Sequence, residues 1–119
     1  MTEARLWLIR IQSAPYEGQR ATLGVDAALA CGAFGQSAAL LLEAAGRQVL
    51  QEAAPPDAAD RNLYKLVASL PLYDIDTVYI SGASGEDSPV DRPKDLRVVF
   101  VNSSEVAELV ATSRHVLSF

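Results

Sequence analysis

Apolar residues in this chain gather into short runs that alternate with longer, helix-spaced segments. Four nearly continuous apolar runs predict buried strands, because strands covered on both faces lack the usual polar alternation. These runs occupy residues 6–11, 37–42, 77–81 and 96–101, and a fifth strand is predicted over 115–119.

Between these strands the apolar spacing becomes helical. A first helix is predicted over 19–34, where apolar residues recur at intervals of three and four and are expected to form one core-facing stripe. The members of this stripe are Leu23, Ala27, Ala30, Cys31 and Phe34. A second helix is predicted over 62–70, ended by Pro71. A third helix is predicted to begin after Asn102, with Glu105 completing a capping-box pattern.

The alternation of strands and helices predicts an α/β fold. Strands joined through helices require crossover connections, which favour a mostly parallel sheet with helices on both faces. We therefore expect a single-domain (1–119), three-layer α/β/α structure with five strands in a flavodoxin-like order. The segment 43–60 is the least periodic and is interpreted as a loop containing at most one helical turn.

Composition narrows the classes of function. Half of the residues are hydrophobic and the formal net charge is -5, so a folded core is expected rather than disorder. The ten Lys and Arg residues are scattered singly, so direct nucleic-acid binding is not expected. No run approaches the roughly 20 apolar residues of a membrane span, and no signal peptide is recognisable.

The sequence contains few cysteine and histidine side chains, which are the usual ligands of zinc. One cysteine excludes an internal disulfide and suits a reducing compartment, so a cytoplasmic location is expected. One histidine and one cysteine are too few for a structural zinc site, and no metal or cofactor is predicted.

Cys31 is the first candidate for chemistry, as a sulfur-carrying thiolate. Such a thiolate needs a lowered pKa and some exposure. Cys31 instead lies late in the first predicted helix, on its apolar stripe, which favours a packing role.

Further candidates lie near strand ends, where parallel sheets place their sites. Ser81 and Ser84 flank Gly82 after the third strand, although no Gly-x-Ser-x-Gly elbow is present. Tyr16 is a candidate surface aromatic, while His115 and the Asp74 turn are interpreted as structural.

Several segments resemble the DsrE/DsrF sulfur-relay family. The first loop (15–20), the letters AFGQS at 33–37 and the strand 78–81 are similar to the family pattern. The element Leu-Tyr-Asp-Ile at 72–75 and the closing His-Val-Leu-Ser-Phe resemble its TusC/DsrF branch in particular.

The resemblance implies an oligomeric complex with homologous DsrE/TusD-like and DsrH/TusB-like subunits, acting in tRNA 2-thiolation or sulfur oxidation. The family's sulfur-accepting cysteine lies at the end of the third strand, and Ser81 matches that position. A serine hydroxyl cannot hold a persulfide, so the resemblance implies an accessory subunit without activity of its own. Its candidate partner or pocket surface comprises Tyr16, Tyr73, Asp74, Tyr79 and Ser84.

Two alternatives stay open. The chain could be an autonomous sulfurtransferase that uses Cys31, or a small-ligand or regulatory module on a flavodoxin-like scaffold. A receiver domain is excluded, because Ser81 stands where an acceptor Asp would end the third strand.

Overall fold

The computed structural model describes residues 6–51, 55–56, 61–82 and 90–119. Within these ranges five strands and three α-helices form, together with two 3₁₀ helices at Ala44–Leu50 and Leu70–Tyr73. The strands are β1 (Trp7–Ile11), β2 (Ala38–Leu42), β3 (Thr77–Ser81), β4 (Arg97–Val101) and β5 (His115–Ser118). The helices are α1 (Arg20–Ala33), α2 (Leu63–Ala68) and α3 (Ser103–Thr112).

The described strands form one parallel sheet in the order β4-β3-β2-β1-β5. The predicted fold class, an α/β structure with a five-stranded parallel sheet, is therefore confirmed. The strand order differs from the 2-1-3-4-5 order of flavodoxin, which the sequence pattern led us to expect. Here β1 to β4 lie side by side in chain order, and α3 connects β4 at one edge of the sheet to β5 at the other edge.

The larger core lies on the face of the sheet that carries α1 and α2, called here the first face. Strand β2 is buried along its whole length, as its uninterrupted Ala and Leu run predicts. Ile9 and Ile11 of β1 pack with Val25 and Ala28 of α1 in this core. Burial of this kind is the main source of stability in a domain of this size.

The predicted stripe of α1 is wrong in most of its members. Leu23 is 53% exposed and Phe34 82% exposed, and Ala30 also faces solvent. The helix buries a different row, of smaller residues: Ala21, Gly24, Val25, Ala28 and Cys31. Small residues allow close approach to the sheet, and a Cβ on Gly24 would lie 2.7 Å from Cγ1 of Ile11. Apolar periodicity selected the row with the larger side chains, but it could not determine which side of the helix meets the sheet.

The second face of the sheet is covered by α3. Leu8, Leu41 and Val101 pack there against apolar residues of α3 such as Leu109. The predicted capping box is confirmed: the Glu105 amide donates to the Asn102 side chain (2.8 Å), and the Asn102 amide donates to the Glu105 carboxylate (2.9 Å). These bonds satisfy amides that the first helical turn leaves without partners.

The second predicted helix is shorter than expected. Helix α2 ends at Ala68, and the chain then turns into the second 3₁₀ helix, which contains Pro71. Among the described residues, no helix is long and apolar enough to cross a bilayer.

Candidate functional site

At the carboxyl edge of the sheet, the first 3₁₀ helix extends from β2 towards the end of β3. This helix starts directly after β2, where the Glu43 amide donates to the Ile11 carbonyl oxygen (3.0 Å). Gly46 then lies so close to β1 that a Cβ there would overlap the Ile11 carbonyl oxygen. A glycine at this position therefore lets the helix cross the edge and aim Arg47 at β3.

Arg47 contacts the end of β3 through the backbone. Its Nη1 donates to the Ser81 carbonyl oxygen at 3.3 Å. Gly82 follows with a φ of 123°, a conformation that L side chains rarely adopt, and its amide donates to Val101 (3.0 Å). A Cβ on Gly82 would stand 2.6 Å from Arg47 Nη1. The turn therefore favours glycine at position 82, whereas the flexible Arg47 side chain could shift to make room for a Cβ.

A second arginine joins Arg47 at Phe100 of β4. The guanidinium carbons of Arg47 and Arg92 lie 5.9 Å and 5.6 Å from the centroid of the Phe100 ring, within the range of cation–π attraction. Asp91 precedes Arg92 in the chain, and its amide donates to the Leu50 carbonyl oxygen. One guanidinium group therefore contacts the end of β3 and a second lies beside Phe100 of the neighbouring β4, and guanidinium groups are well suited to bind anions.

Ser81 itself belongs to the second face of the sheet. It pairs with Val101 in register, and both alternate with residues directed to the first face. On this face a groove of about 340 Å³ runs between β3, β4 and α3. Tyr79, Val99, Val101 and Leu109 line it, together with Glu105 and Glu108 of α3.

Cys31 lies apart from this edge, on the core side of α1. It is 9% exposed and packs with the first-face core. Burial raises the pKa of its thiol, so the protonated form is favoured. A reactive thiolate needs the opposite environment, with nearby cations or a helix N-terminus.

Tyr16 ties the first loop to α2. Its backbone is left-handed (φ 67°), and its hydroxyl oxygen accepts a hydrogen bond from the Leu63 amide at 2.9 Å. The ring lines a cavity of about 160 Å³ with Val49 and Tyr64. Tyr16 is therefore half-buried and contributes to packing at the loop as well as to this cavity.

The remaining candidates are not brought together with Ser81. Tyr73 and Asp74 precede β3 and lie at the amino edge of the sheet, with Tyr73 40% exposed. Asp74, Asp76 and Tyr79 line a cavity of about 210 Å³ there. Ser84 lies outside the described residues. His115 is exposed and its ring lies 4.3 Å from that of Trp7.

Sequence reasoning missed Arg47, Arg92 and Phe100. Arg47 lies in a 3₁₀ helix, Arg92 in a loop and Phe100 in a strand, and no spacing rule links positions so far apart in the chain. One signal was available, because Arg47 follows β2 at the edge where parallel sheets place their sites.

Comparison with known proteins agrees with the fold. The fold resembles the crystal structure of the ychN protein from E. coli, with a TM-score of 0.77 at 15% sequence identity over 97% of this chain and 98% of that one. A search among curated proteins finds no matching sequence. The family model described as the DsrE/DsrF-like family matches residues 7–119. This chain therefore belongs to the DsrE/DsrF-like family.

Proposed function

We propose that this chain is an accessory, non-catalytic subunit of a cytoplasmic sulfur-relay complex. The DsrE/DsrF-like family is generally associated with sulfur relay. One observation carries the proposal. The residue that ends β3 is Ser81, which has no sulfur atom, while the single cysteine, Cys31, is buried in the core.

Persulfide transfer depends on a thiolate that attacks sulfur and then carries it. Ser81 has no sulfur atom, and its hydroxyl is a poor nucleophile without a neighbouring base. The guanidinium groups of Arg47, which contacts the end of β3, and of Arg92, beside Phe100 of the neighbouring β4, offer a different contribution. They would stabilise the negative charge of a persulfide that a partner subunit brings to this edge.

The partners in this proposal are homologous DsrE/TusD-like and DsrH/TusB-like chains, and the pathway is tRNA thiolation or sulfur oxidation. Two surfaces are available for such contacts. The groove beside Ser81 has an apolar floor formed partly by Tyr79. At the amino edge, Leu72 is 85% exposed next to Tyr73. Aromatic side chains are enriched at protein interfaces.

The test is intact-protein mass spectrometry after incubation with a persulfide donor. The chain is incubated alone, and then with a DsrE-like protein that carries a cysteine at the end of its third strand. We expect added sulfur on the partner and none on this chain, together with co-migration of the two in size-exclusion chromatography.

Cys31→Ser provides the matched control, because it removes the single sulfur nucleophile and leaves Ser81 in place. Sulfur loading of the mixture should not change in this variant. Sulfur on Cys31 of the isolated chain would overturn the proposal and favour an autonomous sulfurtransferase. Failure of the two chains to associate, with no effect of this chain on sulfur loading of the partner, would also overturn it.

A further inference from the structure

The second face of the sheet is only partly covered in the described part of the chain. On the first face, α1, α2 and both 3₁₀ helices contribute buried residues to the core. On the second face α3 packs alone among the described helices, and none of its residues is fully buried. Parallel sheets carry helices on both faces, because both faces of their strands are apolar. Part of the second face therefore keeps apolar surface in contact with solvent.

The partly covered region is the groove between β3, β4 and α3. It has a volume of about 340 Å³, and Tyr79, Val99 and Val101 form its floor. Tyr79 and Val99 are only half-buried. Strand β4 lies at the edge of the sheet, so no further strand follows on the side of the groove away from α3. The groove is therefore open along one side and accessible to a large partner.

Helix α3 forms the other wall of the groove. Glu105, Glu108, Leu109 and Thr112 line it, at the three- and four-residue spacing of one helix side. From the first to the last of them the helix rises by roughly 10 Å, or two turns. The wall is apolar at Leu109 and acidic beside it, and its length matches two turns of a partner helix.

The charges at the groove are negative. Among the described residues that line it, only Glu105 and Glu108 are charged, and neither forms an ion pair with a described residue. The capping bond from the Asn102 amide to the Glu105 carboxylate (2.9 Å) holds that carboxylate at the start of α3. Arg97 lies on the same face of β4, at its amino end, but outside the groove. A bound partner would therefore meet negative charge that this chain leaves without a counter-charge.

Tyr79 extends the acidic surface towards the amino edge of the sheet. Its ring also lines the cavity of about 210 Å³ that contains Asp74 and Asp76. No Lys or Arg lines either concavity among the described residues. Carboxylates thus lie in both of the concavities that Tyr79 joins, and the face of an aromatic ring itself attracts cations. The surface suits a partner with positive charge beside apolar side chains.

We infer that this groove binds a basic amphipathic helix of a partner protein, with apolar side chains on the floor and Lys or Arg against Glu105 and Glu108. Packed helices lie about 8–10 Å apart and two neighbouring strands are about 10 Å wide, so a helix beside α3 would cover β3 and β4. Two-fold pairing of this groove with a second copy is disfavoured, because it would bring the same glutamates together. The inference goes beyond the proposed function and does not rest on sulfur transfer.

A synthetic peptide of about four helical turns tests the inference, with Leu at intervals of three and four residues and Lys at the other positions. A second peptide carries Glu in place of every Lys, and a third contains the residues of the first in scrambled order. Fluorescence anisotropy of the labelled peptides measures binding to the whole chain. The Lys peptide should bind at least about tenfold more tightly than either of the others. Its binding should shift the amide NMR signals of Val99, Val101 and Leu109.

Variants of the chain separate the groove from general charge attraction. Glu108→Lys reverses a charge at the groove and should weaken binding of the Lys peptide by about tenfold or more. Glu17→Lys makes the same change in net charge on an exposed residue of the first loop, and as the matched control it should bind within about twofold of wild type. Val99→Thr leaves the charge unchanged, replaces one methyl group of the floor by a hydroxyl, and should weaken binding by roughly threefold.

Several results would overturn the inference: no binding of the Lys peptide at about 1 mM, equal binding of the scrambled peptide, or a loss with Glu17→Lys as large as with Glu108→Lys. Shifts of the groove amides when the chain alone is concentrated would place a second copy there and would also overturn it. Association with a DsrE-like chain tests the proposed function separately. If Glu108→Lys lost the peptide and kept the DsrE-like chain, the inference would stand and that chain would bind elsewhere. If wild type bound the DsrE-like chain and ignored the Lys peptide, the inference would fail and the proposed function would stand.

Discussion

The two sides of helix α1 differ in a way that the sequence pattern conceals. The buried side consists of small residues, and the exposed side carries the larger Leu23 and Phe34. Close approach to the sheet excludes bulk on the inner side, as the position of Gly24 against Ile11 shows. The large apolar residues are thus left on the exposed side. Cys31 belongs to the inner side, so its thiol contributes to packing.

The strongest test of this difference is to place a carboxylate on each side. Val25 is fully buried, so Val25→Asp leaves a charge without a partner in the core and should lower the free energy of unfolding by roughly 3–5 kcal/mol. Leu23→Asp, on the exposed side, should change it by less than about 0.5 kcal/mol. Urea denaturation of dilute samples measures both. Equal losses would mean that the two sides of α1 are not distinct.

A test with a smaller expected effect changes the volume of a side chain instead of its charge. Ala28→Leu adds three carbons where α1 meets the sheet, and should cost roughly 1–3 kcal/mol through overpacking. Ala30→Leu makes the same change on the exposed side and should be nearly neutral, since Ala and Leu have similar helix propensities. If Ala28→Leu proved as stable as Ala30→Leu, the close packing of α1 on the sheet would be disproved.

Cys31→Ser tests the packing role of the cysteine. A hydroxyl replaces a thiol among apolar neighbours, which should cost about 1 kcal/mol in unfolding free energy. The cost stays at the low end because a helical serine can donate to the carbonyl one turn earlier. Thermal or urea unfolding measures it. A gain in stability on substitution would argue against the buried environment of this thiol.

The smallest expected effect is a pH dependence. Burial raises the pKa of the Cys31 thiol, so the folded protein keeps this proton at pH values where the unfolded thiol, with a pKa of about 8.5, loses it. The stabilisation is complete below the unfolded pKa and declines as pH rises towards the folded one. The pH profile of iodoacetamide labelling should accordingly lie at higher pH for the native protein than for the urea-unfolded protein.

Cys31→Ser is the reference for this measurement, since it should lack the corresponding alkaline loss of stability. Labelling profiles that coincide for native and unfolded protein would show that the thiol is not shielded by the core.

Local pattern was sufficient for most of the secondary structure. The apolar runs predicted all five described strands, and Asn102 with Glu105 predicted the capping box of α3, because these signals act over neighbouring residues. The strand order and the inner side of α1 could not be obtained in this way. Both depend on which distant elements meet, and neither leaves a trace in local spacing.

The residues of the candidate site also fall into two groups, those that the local sequence located and those that it did not. Ser81 was located from the end of an apolar run, and it does end β3. Arg47 reaches the Ser81 carbonyl oxygen, and Arg92 joins it at Phe100 from a distant segment of the chain. No motif links these residues, so the proximity of both arginines to Phe100 became visible only in three dimensions.

The sequence by itself determined the α/β class, the positions of the strands and the presence of a single cysteine, because apolar periodicity and composition are properties of the chain alone. The tertiary structure decided that Cys31 is buried, that Arg47 contacts the end of β3, and that Leu23 and Phe34 face outwards. The physical reason is packing. The side of α1 that carries small residues packs against the parallel sheet, and this packing determines which residues of the helix stay exposed.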